Sequence, residues 1–164
     1  MRSWAIVTFA ALGLAGCGSI ELEPEPPPLV EVGNLGPDAA ELVVVVPYGQ
    51  RGYKWAWAVL VDGQARAWLP NAAGYTRIPV ALGQHDVTAS LRTRWVGYFL
   101  IVPIPDGAES HASATVNCQP RARCGIVVER HYDPVRRLTH TASEARPEQL
   151  EEAIKGLTDH PPVP

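Results

Sequence analysis

Fourteen glycines and sixteen prolines cut this 164-residue chain into short pieces. Glycine supplies positive φ and proline fixes φ while removing a donor, so both favour turns over long regular elements. Between the turns lie runs of strand length. Leu42-Val-Val-Val-Val46 is β-branched and stopped by Pro47; an all-apolar run of this kind fits a strand buried on both faces or at a sheet centre. Trp55 to Val61 ends at Asp62-Gly63, a pair that tolerates positive φ and marks a hairpin, with Gln64 to Leu69 as the return strand. Gly74 to Val80 carries Pro79, which places it at an edge or shortens it. His85 to Arg92 alternates, and His111 to Cys118 and Gly125 to Arg130 complete the set. About seven strands at short spacing predict an all-β, antiparallel β-sandwich over residues 41–142. A short helix is expected over Pro147 to Leu157 in a C-terminal segment 143–164. Proline suits the first helical position, and Leu150, Ile154 and Leu157 form one apolar stripe. The tail from His160 reads as frayed.

The N-terminus reads as a processing signal. Arg2 precedes an uncharged stretch, Trp4 to Leu14, that is too short for a span of about 20 residues. Leu14-Ala15-Gly16-Cys17 follows and resembles the lipobox of bacterial lipoproteins. That resemblance implies cleavage between Gly16 and Cys17, and lipid attachment at the Cys17 thiol and new amine. An ordinary signal peptide with an incidental cysteine is the plainer alternative. Several acyl chains, at roughly 0.8 kcal/mol per buried CH₂, anchor stably where one chain holds only marginally. The partner so implied is a membrane, reached through an N-terminal lipid anchor. In lipoproteins of enteric-type bacteria an Asp after the cysteine favours inner-membrane retention. Gly18 and Ser19 stand here instead, which favours a periplasm-facing position at the outer membrane.

Residues 17–40 form the lipidated N-terminus and a linker. Its Glu21 to Pro28 portion, rich in proline and glutamate, predicts an extended semi-rigid stalk; a proline-motif ligand is the rival reading. The net charge of −3, one unit more acidic after loss of Arg2, offers no general attraction for nucleic acid, which is not expected as a partner, or for anionic lipid.

Cys118 and Cys124, separated by five residues and flanked by strands, predict a disulfide across a hairpin base in an oxidising compartment. The spacing fits neither a structural zinc site nor a C-x-x-C redox pair. His85, His111 and His131 lie on or beside strands but lack metal-ligand spacing, so surface histidines are expected, with no metal or other cofactor. Glu109-Ser110-His111 with His131-Tyr132-Asp133 supplies triad residue types, yet Ser and His adjacent on a strand face opposite ways. No enzyme is expected. Arg92, Arg94, Arg121 and Arg123 read as solvated turn residues. Trp95 to Ile104, bounded by Arg94 and Asp106, is either a buried strand with its connection or an exposed apolar loop that meets lipid or a partner, with Tyr98 and Phe99 at its centre.

Val59 to Gly63, Ala67-Trp-Leu69, Gly74-Tyr75, Val80 and Leu82 to His85 with Val87 and Ala89 together resemble a family of small bacterial lipoproteins built around a β-sandwich domain of unknown function. The resemblance covers about residues 41 to 130 and implies fold more than activity. The expected role is that of a non-catalytic envelope lipoprotein serving structure or contact with another envelope protein. The alternative is a glycan- or peptidoglycan-binding module using Trp55, Trp57, Trp68 or Tyr75. Burial of Trp55 and Trp57 would make them packing residues instead.

Overall fold

The computed structural model describes residues 19–21, 28–30, 33, 35, 38–48, 56–70, 73–92, 95–99, 102–106, 109–132 and 138–162. The expected signal peptide 1–16, Cys17 with its expected cleavage site, and Trp55 lie outside them. The strands are β1 Ser19–Glu21, β2 Ala40–Val46, β3 Ala56–Val61, β4 Gln64–Pro70, β5 Gly74–Val80 and β6 Gly83–Arg92. They continue with β7 Trp95–Phe99, β8 Val102–Asp106, β9 Glu109–Cys118, β10 Arg123–Tyr132, β11 Leu138–Glu144 and β12 Thr158–Asp159. The helix α1, Pro147–Ala153, lies between β11 and β12.

Nine strands form an all-β sandwich of two sheets, ordered β11-β10-β2-β5-β12 and β4-β3-β6-β9. All seven expected strands are present. Two more appear, β11 and β12, and two pairings are parallel, β10 on β2 and β12 on β5.

Strand β2 explains the layering. Its alternate residues Leu42, Val44 and Val46 enter the core between the sheets, with Trp57, Val59, Leu69, Val87, Leu91, Val116 and Ile126. Val43 and Val45 face the other way into a second core, beneath Leu150 of α1 and beside Tyr75. A strand apolar at every position is thus satisfied by two apolar neighbours, one sheet and one helix. Beside it, β10 approaches closely: a Cβ on Gly125 would lie 2.0 Å from the Val43 carbonyl oxygen, which glycine alone avoids.

The helix is shorter than the expected 147–157. It ends at Ala153, and Gly156 takes a φ of +75°, the left-handed turn that closes a helix. Ile154 and Leu157 still pack against the second core. Before the tail, Thr158 and Asp159 pair with Gly74 and Tyr75, and the first residue of the tail is held, the His160 N–H donating to the Tyr75 carbonyl at 2.8 Å. Most of the stalk expected over Glu21 to Pro28 lies outside the described residues, and just after it the chain touches the sandwich. The Val30 N–H donates to the Ala65 carbonyl at 2.8 Å, and Arg66 donates back to the Val30 carbonyl at 2.8 Å. This covers part of the free edge of β4, an edge that would otherwise offer unpaired backbone groups.

The β3–β4 hairpin turns as expected at Asp62 and Gly63, with φ of 52° and 76°. Asp62 does more than turn. Its carboxylate accepts from the Asp86 N–H at 3.0 Å and shares a 2.8 Å hydrogen bond with His85 Nδ1, tying the turn to β6.

The third sheet, ordered β1-β7-β8, is an arm. Strands β6 and β9 pair from Gly83↔Cys118 to Arg92↔Glu109, and β7 and β8 pair from Trp95↔Asp106 to Phe99↔Val102. The register of the second pair continues that of the first without a shift. One long hairpin therefore contributes its base to the sandwich and its far part to the arm. The 95–104 segment is accordingly two antiparallel strands of an arm rather than a strand and connection within the sandwich.

Candidate functional site

The end of the sandwich from which the arm departs holds a polar and aromatic cluster. Trp57, Leu91 and Ser110 stand opposite one another across β3, β6 and β9. His140 comes from β11, opposite Arg130 on β10, and Tyr48 from the segment just after β2. Ser110 Oγ and His140 Nδ1 share a hydrogen bond of 2.7 Å. The Tyr48 ring stacks on the imidazole with centroids 6.0 Å apart, and the Trp57 ring meets it edge-on at 5.0 Å. The Arg130 guanidinium lies over Tyr48, 4.8 Å from the ring centroid, a cation–π contact.

The electrostatics follow from burial. His140 is 7% exposed. Desolvation, and then the nearby Arg130 charge, push its pKa below the ordinary histidine value, so the imidazole is held neutral. Burial likewise raises the Tyr48 hydroxyl above its usual range, with Arg130 opposing. Tyr48 Oη and His140 Nε2 are buried without a hydrogen-bond partner among the described residues. A serine nucleophile needs a base, a group that orients the base, and donors for an oxyanion. Here the described geometry supplies the first pairing. It bonds a serine of the four-stranded sheet to a histidine of the five-stranded one and so clasps β9 to β11.

The expected site residues have diverse fates. Trp57 is 2% exposed and belongs to the core between the sheets, so it is a packing residue. Trp68 is half-buried. Tyr75 is buried, its hydroxyl accepts from Arg77 at 3.0 Å, and the Arg77 guanidinium covers its ring at 5.3 Å. Tyr98 and Phe99 lie at the outer end of β7, in the arm. Ser110 finds His140 rather than the adjacent His111, which is exposed. His85 is bonded to Asp62 and to the Ala81 carbonyl, and His131 to Thr141. No three His, Cys, Asp or Glu residues are grouped to hold a metal among the described residues. Arg123 bonds Glu41 at 2.7 Å and also Glu151, rather than standing solvated, while Arg121 remains exposed.

Cys118 and Cys124 form a disulfide, with Cα atoms 5.2 Å apart. Its role differs from the expected clip on one hairpin. Cys118 ends β9 in the four-stranded sheet, whereas Cys124 begins β10, whose partners are β2 and β11 in the other sheet. The bridge therefore fastens the two sheets to each other, at the end opposite His140.

His140 was the residue least visible in the sequence. The signal that could have found it is the alternation of Leu138, His140 and Ala142, a period-two pattern broken by a polar residue at its middle inward position.

No family model, curated protein or solved structure matches this chain.

Proposed function

We propose that this chain is a cell-envelope lipoprotein, lipidated on Cys17, resembling small bacterial lipoproteins with a β-sandwich domain, and that its role is structural or partner-binding rather than catalytic. The observation that carries the reading is the Leu14-Ala15-Gly16-Cys17 string after a short uncharged stretch. The Cys118–Cys124 bridge supports it, since disulfides persist in exported compartments. No helix among the described residues is long and apolar enough to cross a membrane, which suits attachment by lipid. Placement at the periplasmic face of the outer membrane rests on Gly18 and Ser19 after the cysteine.

A protein partner fits better than a glycan. An aromatic sugar platform needs exposed ring faces, and Trp57 and Tyr75 are packed. Mass measurement of the purified native product tests the anchor: the expected chain begins at Cys17 and carries acyl groups. A product that starts at Met1 with a free thiol overturns it. Envelope crosslinking read by mass spectrometry, with Cys17→Ser as the unanchored control, tests the partner, and adducts confined to peptidoglycan would restore the glycan reading.

A further inference from the structure

The first described strand begins two positions after Cys17 and pairs with the arm. Strand β1 runs antiparallel on β7, with Ser19 opposite Gly97 and Glu21 opposite Trp95. Since β7 leads outward from the sandwich, β1 leads inward, and its first residue, Ser19, lies farther out along the arm than Glu21. One residue, Gly18, separates Cys17 from Ser19, a reach of at most about 7 Å over two Cα–Cα steps. The same end carries Phe99 and Val102, the last pair of β7 and β8. Residues 95–105 contain no charge; the nearest charged positions are Arg94 and Asp106, at the base of the arm.

The arm's edges are unequal. Pro103 and Pro105 sit two apart on β8, so both nitrogens turn to one side. Proline keeps a place in a paired strand only where no donor is needed, which makes that side the outer edge. It bars a further strand there, while the opposite edge, on β7, is taken by β1. With one edge barred and the other taken over Trp95 to Gly97, further strand pairing is not the main thing the arm offers. What it offers is an uncharged end a short chain length from the cysteine expected to be lipidated.

We propose that the end of the arm, around Phe99 and Val102, is a second membrane contact that rests on the same bilayer as the Cys17 acyl chains; the proposal depends on the lipoprotein reading above. The spacer between membrane and sandwich is then the arm itself. From Arg92 to Phe99 a strand extends roughly 23 Å at about 3.3 Å per residue. The contact adds apolar burial to the acyl chains and fixes the orientation of the sandwich, which a lipid on a loose stalk does not.

The test places a benzophenone amino acid at position 99, and separately at position 82. Leu82 is 43% exposed at the far end of the sandwich. The acylated full-length product is reconstituted in phosphatidylethanolamine–phosphatidylglycerol vesicles and irradiated, and its mass is measured. Lipid adducts at 99 are expected to exceed those at 82 by about tenfold, as burial in an interface demands. Equal yields on a product whose Cys17 is acylated overturn the arm contact and leave the anchor standing. Adducts at 99 on protein instead of lipid overturn it too. An unmodified Cys17 overturns the lipoprotein reading itself. Where the probe at 99 disturbs folding, the probe at Val102, directly opposite on β8, must give the same lipid excess.

Discussion

Leu42 to Val46 and Trp95 to Ile104 are both uncharged runs rich in apolar residues, and they meet opposite fates. The first is the centre of the molecule, buried on both faces between a sheet and a helix. The second supplies two strands of the three-stranded arm outside the sandwich sheets. Composition does not separate them; neighbours do. Strand β2 has β10 on one side and β5 on the other, and apolar layers above and below. The arm carries Pro103 and Pro105, which close one edge. A run of apolar residues thus specifies a core only where two layers are available to cover it. Substitutions in the sandwich should therefore cost stability, and those in the arm attachment.

The largest expected effect is Trp57→Ala. The indole fills the core between the sheets at the end where the arm begins, so its loss should destabilise the sandwich by about 3–5 kcal/mol. Denaturant unfolding of a Cys17→Ser background measures it. A loss below about 1 kcal/mol would mean that Trp57 is not a core residue. Next is Gly125→Ala. The new Cβ meets the Val43 carbonyl, which is backbone and cannot swing aside. Parting β10 from β2 should cost about 2–3 kcal/mol, read by the same unfolding curves. An unchanged midpoint would contradict the close parallel pairing of the two strands.

Reducing the disulfide comes third. It closes a short loop, and the chain-entropy account gives about 2 kcal/mol. Because the bridge joins two sheets, reduction should also raise amide exchange in both β9 and β10. Exchange rising at the connecting turn alone would return it to the role of a local clip.

These three sites show how far the sequence could be read. The strands were legible because alternation and turn residues are local: Asp62-Gly63 marks its hairpin, and Leu42 to Val46 declares a strand buried twice over. The disulfide pairing was legible from spacing. That β9 and β10 lie in different sheets was not, since five intervening residues serve a hairpin and a crossing equally well. Parallel pairing of β10 with β2 joins residues some eighty positions apart, as Arg123 with Glu41, and leaves no local mark. Strand β11 escaped because its inward face carries His140 where an apolar residue was awaited. The Ser110–His140 bond escaped with it. The arm was half legible: its lack of charge stood out, but its continuation of the β6–β9 register depends on pairing across the whole hairpin.

A smaller effect concerns pH, and it sets the two ends of the sandwich against each other. At the arm end, His140 is held neutral by burial and by Arg130, so its folded pKa is depressed. As pH falls below about 6.5, the unfolded chain takes up a proton that the folded one refuses, and stability drops. At the other end, burial of His85 opposes its charge, but the hydrogen bonds to Asp62 and Ala81 outweigh burial and its pKa is raised. Its contribution is fully present below about 6.5 and is lost as pH rises through the folded value. The two slopes oppose each other in the intact protein. His140→Gln should therefore leave a variant that gains stability from pH 8 to pH 6, and His85→Ala one that loses it more steeply on acidification from about 6.5. Unfolding midpoints across that range measure both. Parallel slopes in the two variants would dissolve the distinction between the ends.

The smallest effect on stability is expected in the arm. Replacing Tyr98 and Phe99 by Ser changes strands that, among the described residues, pair with one another and with β1, so the sandwich should unfold within about 0.5 kcal/mol of its starting value. The same variant should lose membrane or partner contact, seen as weaker retention on vesicles when the acyl chains are absent. Lost folding or solubility, with unfolding shifted as far as in Trp57→Ala, would instead make the run 95–104 a second core. The contrast with Leu42 to Val46 would then vanish, because both apolar runs would be packing surface for the same sandwich.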